Sequence, residues 1–314
     1  MRILLTGASG FVGKAVLKTA QKHGLEIRPV YRSMDSAKGQ SEAVLVSERD
    51  GVADWSAALQ GVDVVIHAAA RTHIMREESL DPLAEYRRVN VDGTLNLARQ
   101  AAAAGVRRFV FISSIKVNGE ATTPGHPFTA DDTPAPKDAY GLSKAEAETQ
   151  LKLLAQEMGM EVTIIRPPLI YGPGVKGNLA SMINWVRQGL PLPLRAVTRN
   201  RRSLVGLDNL VNLILVCTDH PKAANQTFLI SDGEDLSTTE LLRKVGKALG
   251  RSARLLWVPT GAISLIAGLL GKKVISQRLL GSLQVDIRKT CAFLDWKPPV
   301  SIDEGLRRAV QKRL

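Results

Sequence analysis

At 314 residues the chain is long enough for one large or two modest domains, and its 45% hydrophobic content marks a folded globular protein. Two cysteines, Cys217 and Cys291, lie far apart and outside any ligand-like spacing, which excludes a disulfide framework and a zinc site and fits a reducing compartment. A net charge of +12 favours acidic partners, but basic and aromatic residues do not alternate, so no nucleic-acid platform is expected; with no ligand-like cysteine spacing, no metal is expected either.

The N-terminal MRILLTGAS carries one arginine and no apolar run of signal-peptide length, which predicts a cytoplasmic protein. Ile3–Thr6 reads as a strand, and Thr6-Gly7-Ala8-Ser9-Gly10-Phe11-Val12-Gly13 joins it to a helix over Val12–Lys22. A dinucleotide-binding loop requires that context. Gly7 permits the tight turn, Gly10 lets the backbone approach a pyrophosphate, and Gly13 allows close helix–strand packing. Ser9, Phe11 and Val12 complete the cofactor loop at the helix N-terminus, where free N–H groups favour an anion. The second strand, Ile27–Tyr31, ends in Tyr31-Arg32-Ser33, with no acid before Asp35. A ribose-binding carboxylate is missing, and Arg32 with Ser33 suits a 2′-phosphate, so NADP(H) is favoured over NAD(H).

Strands follow at Val62–His67, Arg108–Ser113 and Val162–Pro167, separated by helical patterns over Asn90–Ala104 and Tyr140–Met158. The alternation implies an α/β fold: a Rossmann-type, doubly wound parallel sheet. The third of these strands leads past Pro167 into "PPLIYGPGVKGN", after which helices and loops dominate and Thr227–Ser231 reads as one returning strand. The expected organisation is a dinucleotide-binding domain over 1–168 with a return segment near 205–233. A smaller, partly interleaved substrate lobe takes 169–204 and 234–314. Between Val162 and Leu207 there is no Asp or Glu, while seven Arg and Lys fall inside, which suits a phosphorylated substrate. The apolar run Val258–Leu270 is too short to cross a bilayer and reads first as a buried helix, second as a segment docking on the inner face of the membrane.

Tyr140 and Lys144 stand at i and i+4, so they share a helix face, and Ser114 ends the preceding sheet strand. A tyrosine proton, a lysine charge and a serine hydroxyl at one sheet edge suit hydride exchange at a carbinol carbon. These motifs resemble the extended short-chain dehydrogenases/reductases of the nucleotide-sugar epimerase/dehydratase family. That resemblance makes Ser114 the catalytic hydroxyl with Ser113 behind it. It implies that Ala68, Ala69 and Ala70 of "DVVIHAAA" line the cofactor, that Asn90 supports the active-site wall, and that Pro167 of "RPPLIYGPG" packs on the nicotinamide. It also implies that Asn178, Arg202 and Arg278 hold the diphosphate of a UDP-sugar, and that the protein is a homodimer. A dehydratase of this kind carries an Asp–Glu pair where this chain has Ile115 and Lys116. The expected activity is reduction of a UDP-4-keto-6-deoxy-N-acetylhexosamine at carbon 4, as in bacterial surface-polysaccharide synthesis (UDP-N-acetylquinovosamine or UDP-N-acetylfucosamine). The alternatives are UDP-hexose or N-acetylhexosamine 4-epimerisation with bound NAD and, more distantly, a non-catalytic NADP sensor or nucleic-acid binder.

Overall fold

Strand pairing places β1 (Arg2–Thr6) between β2 (Glu26–Tyr31) and β4 (Val64–His67), so the chain changes direction across the sheet at this point. With β3 (Val44–Leu45), β5 (Arg108–Ile112), β6 (Glu161–Arg166) and β9 (Gln226–Leu229) the order is β3-β2-β1-β4-β5-β6-β9, and every pair is parallel. The computed structural model describes all residues except 38, 40, 41, 47–49, 73–80, 270, 272–276, 278 and 312–314.

Side-chain alternation divides each strand between two helical layers. Ile3, Leu5 and Val110 pack with Val16 and Leu213 under the helices Phe11–Lys22 and Leu207–Asp219. Leu4, Val65 and Phe109 pack with Leu97 and Leu151 under Gly93–Ala103 and Ala139–Met158. Every residue of β4 and β5 is buried, which is why these strands read as continuous apolar runs. Each fully buried Leu or Ile side chain contributes about 1.5–3 kcal/mol. The exception in β5 is Arg108, whose buried guanidinium donates to Glu161 and to the carbonyls of Cys217 and His220.

The sequence reading of the second half was too sparse. A second sheet, β10-β8-β7, is built from Leu169–Tyr171 (β7), Arg202–Gly206 (β8) and Asp235–Leu236 (β10). Two of these strands have three residues or fewer, too short to show a period of two. Their core joins Leu204 and Leu236 to Ile183, Leu242 and Leu306 from three helices. The chain enters this lobe after β6, leaves it at Gly206 and enters again after β9; the helix Arg288–Leu294 then returns to the sheet core before Ile302–Val310 ends in the lobe. The Asp232 carboxylate ties the first three crossings: it accepts from Tyr171 Oη (2.5 Å), Gly206 N (2.8 Å) and Asn209 Nδ2 (2.6 Å). Burial raises the pKa of both Tyr171 and Asp232.

The apolar run near residue 260 lies on the surface, against the expectation of a buried helix. It forms the helix Thr260–Leu269, as expected, but none of its residues is buried. Composition alone registers the absence of polar residues, not the absence of a neighbour to cover them.

Candidate active site

The crevice at the carboxyl ends of β1 and β4 is where ligands bind in an open α/β sheet. Gly7 sits there with φ of +73°, and a Cβ on it would stand 2.7 Å from the backbone of Ala68 and Ala69. A Cβ on Gly13 would meet the Gly7 carbonyl oxygen at 2.0 Å, while Gly10 N–H donates to that oxygen at 2.8 Å. The loop is therefore a bare backbone cradle, held shut by contacts that only glycine allows. Gly10 is the extended N-cap of the following helix, and its first turn holds no acid. Such a cradle fits the pyrophosphate of a nicotinamide dinucleotide. Ser9 is exposed at its lip, Phe11 and Val12 are half-buried beside it, and Ala68, Ala69 and Ala70 form its far wall.

At the end of β2 Tyr31 is buried, and burial pushes its phenol up. Arg32 and Ser33 are exposed, with Ser33 Oγ 3.1 Å from Ser36 Oγ. A cavity of about 280 Å³ opens between the first helix and the end of β2, lined by Ala8, Lys14, Lys18, Tyr31 and Ser36 among others. Lys14 and Lys18, one helical turn apart, are cations that the sequence reading did not assign. Beneath the crevice, Thr6 Oγ1 lies 2.7 Å from His67 Nδ1, and His67 Nε2 lies 3.0 Å from Thr94 Oγ1.

The helix Ala139–Met158 brings Tyr140 and Lys144 to the same edge. Asp138 caps it by accepting from Gly141 N at 2.7 Å, and the Lys116 ammonium pairs with the same carboxylate. The clamp locks the serine loop after β5 onto the helix that carries the tyrosine. Ser114 hydrogen bonds to the Tyr140 phenol, which pulls its pKa down. Burial and the Asp138 charge act against this, and the phenol is pushed up to about 12. Lys144 is 1% exposed, with Nζ 3.9 Å from the centroid of the Phe111 ring. Burial lowers its pKa to about 7, against the opposing pull of Glu148.

Asn90 lies in a π-helical turn, Arg88–Asp92, ahead of Gly93–Ala103. It accepts from Arg71 N at 2.8 Å and donates to the Arg71 carbonyl and to Ser143 Oγ, both at 3.0 Å. The loop after β4 is thereby tied to the helix of Tyr140. Pro167 is buried, and its carbonyl accepts from Ile115 N at 3.0 Å.

Ser113, which the family resemblance offers as a second substrate-binding serine, is instead turned away from the crevice. It is buried, and its hydroxyl donates to Glu148 Oε1 at 2.5 Å. Successive residues of extended chain point to opposite faces, so Ser113 and Ser114 cannot both line the crevice. Glu148 also holds Arg166, whose Nη1 reaches Asn118 Oδ1 at 3.0 Å. This polar network lies behind the site, and no local spacing in the sequence announces it.

On the lobe, Asn178 is exposed in the first turn of Gly177–Gln188. Arg202 is half-buried at the start of β8 and donates to the Gly281 carbonyl at 3.2 Å. Arg278 lies outside the described residues. Among the described residues no group of His, Cys, Asp or Glu is arranged to hold a metal ion.

Residues 3–231 match the family described as "NAD dependent epimerase/dehydratase family". The chain is 48% identical over 311 residues to a UDP-glucose 4-epimerase of Vibrio cholerae, covering 98% of this chain and 94% of that protein. Among solved structures it is similar to the UDP-N-acetylglucosamine 4-epimerase of Bacillus cereus (TM-score 0.81, 20% identity, 99% and 98% of the two chains). It is also similar to the UDP-glucose 4-epimerase of Thermotoga maritima crystallised with UDP-glucose (TM-score 0.77, 22% identity, 99% and 97%). At these identities the structural likeness concerns the fold.

Proposed function

Because the chain belongs to the NAD-dependent epimerase/dehydratase family, an extended short-chain dehydrogenase/reductase family, we propose that it interconverts the carbon-4 epimers of a UDP-hexose or UDP-N-acetylhexosamine. The observation that supports this reading is the Ser114–Tyr140 hydrogen bond, with buried Lys144 one helical turn on, at the carboxyl edge of the sheet whose first strand ends in the glycine loop. The 48% identity to a UDP-glucose 4-epimerase supports epimerisation above the reduction that the sequence alone favours.

The cradle of Gly7, Gly10 and Gly13 would hold the dinucleotide, with Ser9, Phe11, Val12, Tyr31 and Arg32 along its length and Ala68–Ala70, Asn90 and Pro167 about its nicotinamide end. When bound, the nicotinamide supplies hydride chemistry at carbon 4 of the sugar. Tyr140 moves the proton of the 4-hydroxyl at its Oη, and Ser114 steadies the same oxygen. A phenol held near 12 stays protonated at neutral pH, so its proton leaves only against a neighbouring positive charge. Lys144 stands one helical turn away and provides that charge in its protonated form, which a pKa of about 7 leaves only partly populated at neutral pH. Ile115 and the paired Lys116 offer no carboxylates for loss of water from the sugar. Asn178 and Arg202 hold the diphosphate, and Arg278 is a further clamp candidate on sequence grounds; guanidinium geometry suits such a clamp.

Arg32, Ser33, Lys14 and Lys18 favour a second reading, in which NADPH is consumed to reduce a UDP-4-keto-6-deoxy-N-acetylhexosamine. The intact Ser–Tyr–Lys group stands against a non-catalytic sensor. Two distant free thiols, Cys217 and Cys291, support a reducing, cytoplasmic setting, and the family resemblance supports a homodimer. Incubation with UDP-glucose, UDP-galactose and their N-acetyl counterparts tests the main reading. Interconversion without net cofactor change is expected. Stoichiometric NADPH loss with the 4-keto sugar, and no interconversion, overturns it in favour of the reductase.

A further inference from the structure

The helix Thr260–Leu269 carries no charged residue and buries none of its side chains. Leu265 is 66% and Leu269 80% exposed, and the preceding loop presents Leu256 and Trp257, the latter 68% exposed. On its inner side Ile263 leans on the lobe core. Scattered exposed apolar residues are ordinary, but a contiguous patch on a short helix marks an interaction surface.

Charge identifies what covers it. From Leu241 to Val285 the sequence contains eight Arg and Lys and no Asp or Glu. Arg251 and Arg254 are exposed just ahead of the patch, and neither pairs with a carboxylate among the described residues. Exposed Arg195 is brought alongside, because its backbone N–H donates to the Leu256 carbonyl at 3.0 Å. An apolar face rimmed by unneutralised cations, with a tryptophan at its margin, is complementary to an anionic bilayer surface. At 10 residues the helix is about 15 Å long and cannot cross the hydrocarbon core, so it would lie in the interface. A second copy is the poorer partner, since self-association through this face would set the basic rim against itself.

We propose that the protein docks on anionic phospholipid membranes through Leu256, Trp257, Leu265, Ile266 and Leu269, steered by Arg195, Arg251 and Arg254. The proposal does not rest on the sugar reaction. It is tested by flotation of the protein with phosphatidylglycerol/phosphatidylcholine vesicles and with pure phosphatidylcholine vesicles, alongside the tryptophan emission that the Trp257→Phe variant lacks. Binding to the anionic vesicles is expected, with a blue-shifted emission and a loss of binding as salt rises. The double variant Leu265→Glu/Ile266→Glu should bind at least about tenfold more weakly, with unchanged turnover and circular dichroism. Failure of the wild-type protein to float with anionic vesicles at low salt overturns the proposal, as does equal binding by the double variant. If the variant instead turns a dimer into a monomer and leaves vesicle binding intact, the face is a contact between copies and the proposal is wrong.

Discussion

Glu148 grips Arg166 through Nε and Nη2, one helical turn beyond Lys144, with both side chains almost wholly removed from solvent. Removing one partner of a buried pair leaves an uncompensated charge, which costs about 3–5 kcal/mol. Glu148→Gln should therefore lower the melting temperature markedly in a thermal denaturation scan. It also removes the carboxylate that holds the Lys144 pKa up, so the ionisation seen in the pH–rate profile should move to lower pH. A variant as stable as the wild type would show that the pair contributes little.

Tyr140→Phe removes the proton that the reaction moves while keeping the ring that packs edge-on against Tyr86. Turnover should fall by about 10²–10⁴-fold, the usual contribution of a positioned acid–base group. Cofactor affinity, read by nucleotide fluorescence, should stay within a few-fold of wild type. Retention of full turnover removes Tyr140 from the chemistry.

Lys144 offers a stability test with a definite sign. Its pKa is lowered from 10.5 to about 7 in the folded protein, so between those values the unfolded chain binds more protons. Stability therefore rises with pH across that window, and the burial penalty is felt in full below it. Lys144→Met carries no such penalty. Its advantage over wild type in urea unfolding should be greatest at pH 6 and shrink by a few kcal/mol, in order of magnitude, by pH 10. A pH-independent difference would show that the lysine is not desolvated.

Arg32→Glu places a negative charge beside the adenosine ribose. If NADP(H) is the preferred cofactor, losing a charge-assisted contact worth about 1.5–3 kcal/mol cuts the NADP-to-NAD preference by roughly 10–100-fold. Titration with both dinucleotides measures it. A wild type with no NADP preference, or an unchanged ratio in the variant, sends the assignment back to NAD and strengthens the epimerase reading.

The parts of the site that sequence revealed are those whose chemistry is local. Gly7, Gly10 and Gly13 announce themselves by spacing, and Tyr140 with Lys144 by the helical repeat. Six of the seven strands of the parallel sheet appear within a residue or two of their limits because burial on both faces makes them continuously apolar. What escaped depends on tertiary neighbours. Ser113 looks equivalent to Ser114 until the strand's pleat turns it toward Glu148. Arg166 meets its partner 18 residues away, and Tyr171 meets Asp232 across 61, distances at which no motif operates. The helix Thr260–Leu269 has the composition of a core element and occupies the surface.

The junction at Asp232 also bears on how the lobe could be exchanged. Three of the chain's passages between sheet and lobe meet at this one carboxylate, and the helix Arg288–Leu294 makes a further return to the sheet. A lobe reached by several passages is not a separable cassette: transplanting it means cutting and rejoining the chain at every passage and keeping Asp232 together with Tyr171, Gly206 and Asn209.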